Sequence, residues 1–230
     1  MNKAVKILVE VLLALVACAF VYLIVRSVSK PVEFKNEQAR REQVGIQRLK
    51  DIRTLQVAFK GVNGHYTPSV DSLIQFYNEG KMEIVMQIGS HDDSLAVANT
   101  AAIKKKNRKI TNEQLYELYK AGDKKLVFSI TTPINVKDTL FNGREDFVVD
   151  SLAYVPFSGG YKVEMESIIK KVSGVQVPLF EARMPYKALL RGLDYQLIVN
   201  LNAEREKSNK YVGLQVGSIS MPNNNAGNWE

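Results

Sequence analysis

Few residues in this sequence are of a kind that does covalent chemistry. His65 and His91 are its two histidines and Cys18 its single cysteine. Neither histidine has a second His or Cys at metal-ligand spacing, and a side-chain metal site needs three or four such ligands converging on one point. His91-Asp92-Asp93 offers a weak cation site or a general base. Neighbours in sequence do not converge on one reacting atom unless a fold aims them, so a solvated loop is the plainer reading. His65, beside Tyr66, reads as packing at a helix junction. No GxSxG, P-loop, GxGxxG or HExxH pattern occurs. The expectation is a protein that is not an enzyme, with no catalytic residues, metal or cofactor.

Composition agrees with an architectural reading. At 230 residues, 46% hydrophobic and 24% charged, the chain supports one core-forming domain, with or without an accessory segment. One cysteine excludes a disulfide scaffold. The net charge is +7, but residues 31–230 hold 27 Lys and Arg against 23 Asp and Glu. Lys104, Lys105, Lys106, Arg108 and Lys109 account for that remaining excess. They read as a basic loop, either simply solvated or in contact with an anionic surface. Nucleic acid ranks last, because no aromatics are interleaved with the charges.

The elements that would position these residues begin with Ile7 to Val25, nineteen residues carrying one charge. As a helix they span about 28 Å, most of a bilayer's hydrocarbon core. The run is longer than the apolar part of a cleaved signal and continues through Phe20 to Val25, so a retained membrane span is expected. Leu15-Val16-Ala17-Cys18 matches a lipid-attachment signal. Seven apolar residues follow the cysteine, which favours an ordinary side chain within the span. Orientation carries a conflict: Lys3 and Lys6 precede the span while Arg26, Lys30, Lys35, Arg40 and Arg41 follow it, a count that places the following domain in the cytoplasm.

Pro31 should kink or break the helix where it leaves lipid. From Asn36 to Val62 the apolar residues Val44, Leu49, Ile52, Leu55, Phe59 and Val62 recur at helical spacing, with Arg40, Arg41, Arg48, Lys50 and Arg53 on the other face. Asn63-Gly64 ends this stalk. A short helix follows from Ser69 to about Gly80, then a strand over Met82 to Ile88. Asp92 to Lys109 reads as a loop with a helical part, and Thr111 to Gln114 as a capping box that opens a helix ending at Gly122. Lys125 to Val136 reads as an edge strand. Tyr161 to Leu179 forms a hairpin turning at Ser173-Gly174. A helix over Asp194 to Ser208 and a strand over Tyr211 to Ile219 complete an α+β fold: a transmembrane helix and an amphipathic stalk packed on a small antiparallel sheet with short helices. The expected divisions are a head at 1–6, the span at 7–25, the kink and stalk at 26–62, a soluble domain at 63–220 and a polar tail at 221–230. In the tail, Trp229 either tucks back or anchors a partner.

Glu10 within the span, Pro31 after it, the helix Ile46-Gln47-Arg48-Leu49-Lys50-Asp51-Ile52-Arg53 and the sequel Asn63-Gly64-His65-Tyr66-Thr67-Pro68-Ser69-Val70-Asp71-Ser72-Leu73 resemble the amino-terminal stalk of type IV pilins and type II secretion pseudopilins. The resemblance covers about residues 1–75; the remainder is similar to a bacterial family of single-span envelope proteins. It implies a structural or assembly component of a bacterial envelope complex, held in the inner membrane by one span with its domain in the periplasm. Leu49, Ile52, Leu55 and Phe59 would pack the sheet, and partners would be other envelope proteins or further copies meeting through the stalk. A monomeric single-span scaffold is the alternative; an envelope enzyme or lipid-binding module is a third. Val5 precedes Lys6 and no glycine occurs before Gly45, so cleavage by a prepilin peptidase is not expected. Glu10 has two readings, a pair with a neighbouring subunit or a pair with Lys6 one turn away.

Overall fold

The computed structural model describes the backbone of residues 3–230 and the side chains of Ile7 and residues 10–230. In chain order it contains α1 (Lys3–Asn63), α2 (Val70–Glu79), β1 (Lys81–Ile88), α3 (Ser94–Lys106), α4 (Asn112–Lys120), β2 (Phe128–Asn135), α5 (Val136–Thr139), a 3-10 turn (Val149–Ala153), β3 (Glu164–Val172), β4 (Val175–Pro185), α6 (Tyr186–Leu189), α7 (Tyr195–Lys207) and β5 (Gly213–Gly217). The fold is α+β, with a long apolar amino-terminal helix and two small antiparallel sheets.

Of the kink or break expected at Pro31, the break does not occur: α1 runs through it. Proline removes one donor and crowds the carbonyl four residues earlier, here that of Ser27. Ser27 is exposed just beyond Arg26, so water can take the bond that the ring forfeits.

The chain divides into two compact units, residues 1–54, 66–70 and 150–230 in the first and 55–65 and 71–149 in the second. The first unit holds the sheet β3-β4-β5. Ser173 and Gly174 both adopt positive φ, the conformation that a two-residue hairpin needs, and Val172 pairs with Val175 across it. Central strand β4 buries Phe180, Ala182 and Met184, while β5 adds Leu214 and Val216. Leu49 and Ile52 of α1 are fully buried in this unit, as are Leu189 and Leu190.

The second unit holds the ribbon β1-β2, paired from Lys81↔Asn135 to Ile88↔Phe128. Strict alternation puts Met82, Ile84, Met86 and Ile88 on its inner face. Its core gathers Leu115 of α4, Leu126, Phe128 and Ile130, with Met86, Ile88, Ile103 and Ile110 against them. α4 opens with both bonds of the expected capping box, Thr111 and Gln114 each closing on the other's backbone. Residues 92–109 are more ordered than the sequence suggests. α3 is a thirteen-residue helix capped by the Asp93 carboxylate, which accepts from Leu95 and Ala96 N–H. Ala96 and Thr100 are its buried residues; groups so small leave no apolar period to read.

Candidate assembly surfaces

The apolar amino-terminal part of α1, long enough to cross a membrane, offers an extended apolar surface. Ile7, Leu13, Phe20 and Ile24 are each at least 60% exposed, and no residue in the most apolar stretch of the helix is covered by the rest of the chain. Phe20 to Val25 are likewise each more than half exposed, and successive residues step by about 100° around a helix, so the apolar surface faces every direction, a pattern compatible with a membrane span. At its end Arg26 donates to the Tyr22 hydroxyl (3.4 Å), a turn below. Glu10 is exposed. The Lys6 side chain, and with it the Lys6 pairing proposed for Glu10, lies outside the described residues.

Beyond the span, α1 becomes part of the first unit through a face the apolar stripe only partly predicts. Phe34, Gly45, Leu49 and Ile52 are buried, whereas Val44 is exposed. Gly45 permits close approach: a Cβ there would meet Leu214 Cδ1 at 2.7 Å. Between Phe34 and Gly45 the same face carries polar groups. Tyr186 donates its hydroxyl proton to Glu42 Oε1 (2.6 Å), Gln38 donates to the same oxygen (2.8 Å), and Arg205 donates to the Tyr186 oxygen (2.9 Å). Burial, then the Glu42 carboxylate, pushes the Tyr186 phenol well above its ordinary range. Ionising Tyr186 there would bury a second negative charge, so it stays a donor.

Arginines assigned by spacing to the solvent face also grip the first unit. Arg41 donates to the Leu189 carbonyl (3.2 Å) and the Arg191 carbonyl (2.9 Å), and Arg48 to that of Tyr154 (2.6 Å). Arg53 reaches the Asn225 carbonyl and the Glu230 carboxylate. Arg40 and Arg41 both lie over the Phe157 ring, about 5 Å from its centre. The same two arginines, Arg40 foremost, hold the Glu37 carboxyl down to about 2. Sequence reasoning missed Glu42, Tyr186 and Arg205. The available signal was the spacing of Phe34, Gln38, Glu42, Gly45, Leu49 and Ile52, which is helical once polar residues and glycine are admitted to the stripe.

In the second unit, Leu55 is fully buried. The Phe59 ring packs edge-on against Phe76 (5.3 Å) and His65 (5.9 Å). A cleft of about 760 Å³ lies between Val57, Ala58, Gly61 and Val62 of α1 and the outer face of the ribbon, with Val85, Thr131 and Pro133.

The basic cluster is exposed, but it is not a loop throughout. Lys104, Lys105 and Lys106 form the last turn of α3 and Arg108 and Lys109 the turn after it. Cations there complement the negative end of the helix dipole, a local reason for the cluster. His91 and Asp92 are exposed, Asp93 caps α3, and among the described residues no group of three metal-ligating side chains occurs. The tail folds back: Gly217 N–H donates to the Ala226 carbonyl, Asn228 N–H to that of Gln215, and Asn225 to the Tyr66 hydroxyl. Trp229 is half-buried against Gly227, with its indole N–H buried and lacking a hydrogen-bond partner. No family model, curated protein or solved structure matches this chain.

Proposed function

We propose that this chain is a membrane-anchored, pilin-like structural or assembly component of a bacterial envelope complex, with one span in the inner membrane and its folded units in the periplasm. One observation carries the reading. The same uninterrupted helix is bare and apolar over its first part and is built into the folded part by Phe34, Glu42, Gly45, Leu49 and Ile52. A helix continuous from span to core transmits position and orientation from the membrane to the domain, as a structural subunit requires. Catalysis gains nothing from it.

The chain's own cysteine tests self-association. Cys18 is exposed within the span. In native membranes treated with a copper-phenanthroline oxidant, cysteines moved in turn through residues 14–21 in a Cys18→Ala background should give a disulfide dimer at positions spaced three and four apart. Monomer at every position, in membranes from which alkaline carbonate does not extract the protein, would leave the monomeric scaffold standing instead. A reporter fused after Glu230 that is active only outside the cytoplasm checks the orientation against the Lys and Arg count.

A further inference from the structure

The most exposed large apolar or aromatic side chain among the described residues is Tyr195, at 79%. It opens α7, directly after Asp194, whose carboxylate caps the helix by accepting from Gln196 and Leu197 N–H. Two links relate α7 to α1 in the first unit, one direct and one through Tyr186. At one end Asp194 Oδ2 lies 3.9 Å from Lys30 Nζ. At the other, Arg205 bonds Tyr186, which bonds Glu42. The two contacts are separated by nearly equal lengths of helix, about 16 Å along α7 and about 18 Å along α1. α7 therefore runs alongside α1 in the same direction, with its Tyr195 end toward the span.

Lys30 lies four residues beyond Arg26, the first charge after the apolar run, which is about 6 Å of helix. A bilayer's headgroup layer on each side is about 5 to 8 Å thick. On that spacing the Lys30–Asp194 pair falls at the outer level of that layer, and Tyr195, exposed, is next to it in the chain. Tyrosine has an apolar ring and a polar tip, which is why it is enriched at this depth. Val199, one turn along the same face of α7, is also exposed, and α7 has no fully buried residue. Lys30 offsets the Asp194 carboxylate, which would otherwise repel anionic headgroups.

We propose that the Asp194–Tyr195 corner is a second attachment to the bilayer, with Tyr195 seated among the lipid headgroups and fixing the angle at which the first unit stands on its span. The proposal rests on residues 7–25 being a membrane span. The test uses the full chain in phosphatidylcholine–phosphatidylglycerol vesicles, in a Cys18→Ala background. A single cysteine is introduced as Tyr195→Cys or Val175→Cys and labelled with an environment-sensitive fluorophore. Both positions are exposed, so neither change disturbs packing. β4 ends next to Tyr186, at the level of Glu42, and carries Phe180, tilted against Tyr66 (4.8 Å), in its middle, so Val175 at the hairpin tip marks the end of the unit away from Tyr186. Lipid carrying a nitroxide on its headgroup should quench the label at 195 several-fold more than the label at 175, with emission at 195 shifted to the blue. Equal quenching at the two positions in protein that resists carbonate extraction overturns the proposal and leaves the span intact. Extraction by carbonate overturns both.

Discussion

Two successive stretches of α1 are held by different chemistry. Up to Thr54, within the first unit, arginines and a glutamate reach out of the helix to carbonyls and a phenol, around the buried Leu49 and Ile52. From Leu55 on, within the second unit, Phe59 meets the rings of Phe76 and His65, and the helix closes with Gly64 N–H on the Lys60 carbonyl. Polar grips are directional, so they fix the rotation and register of a rod, and each is costly to half-remove. Ring contacts bury area and tolerate exchange. The stretch nearer the span has the directional grip, which fits a helix whose orientation must be passed on.

The largest test of this contrast removes apolar volume from the polar-gripped stretch. Ile52→Ala opens a cavity at a fully buried site, and such changes cost about 2 to 5 kcal/mol. Amide exchange followed by mass spectrometry should show protection lost first in β4 and β5. If protection in those strands is unchanged, the buried face of α1 is not what organises the first unit.

Tyr186→Phe is smaller and more specific. It takes the phenol donor from Glu42, which keeps Gln38, and leaves Arg205 with the longer bond to the Gly213 carbonyl (3.5 Å); a hydrogen bond to a charged group is worth about 1.5 to 3 kcal/mol. Phe59→Leu in the second unit, an apolar exchange at a half-buried site, should cost less than about 1.5 kcal/mol. Urea denaturation of the two variants measures the order, and Phe59→Leu proving the more damaging would remove the contrast. A double-mutant cycle with Glu42→Gln should show coupling to Tyr186→Phe, since the two share one hydrogen bond.

How much of this was legible follows from the kind of signal each element leaves. Capping chemistry is local, so Thr111 to Gln114 and the Ser173-Gly174 turn could be read directly and occur where expected. Alternation made β1 and the β3–β4 hairpin visible, and spacing made Leu49 and Ile52 visible. α3 was obscured because its buried side chains are Ala96 and Thr100. Arg41 and Arg48 were misassigned to solvent, and Glu42 was missed, because a charge at a helical position looks the same whether water or a distant polar group receives it. Their partners, Tyr186, Leu189, Arg191 and Tyr154, lie more than a hundred residues away. At Pro31 a local rule predicted a kink or break, and the helix continues through it, with Ser27, whose carbonyl the ring crowds, an exposed residue.

The smallest effect concerns the tail, which joins the first unit's polar grip through Arg53. The Arg53 guanidinium holds the Glu230 carboxyl below its ordinary 4.5, assisted by the Gly227 N–H. A carboxylate whose folded value is depressed contributes fully above 4.5 and loses that contribution as pH falls through the lowered value. Trp229, the chain's only tryptophan, sits next to Glu230 and reports on this contact. Its emission should stay constant from neutral pH down to the ordinary carboxylate range, then move modestly to the red as Glu230 takes up a proton and the tail loosens. In Arg53→Gln the transition should move to higher pH, because the largest influence opposing protonation is gone and the Gly227 N–H remains as the lesser one. The remaining tail bonds, Asn225 to Tyr66 and Gly217 to Ala226, carry no titrating carboxylate and keep the change small. An identical profile in the wild-type chain and Arg53→Gln would show that the tail is held by those neutral bonds alone, and that the polar grip of the first unit ends at Arg48.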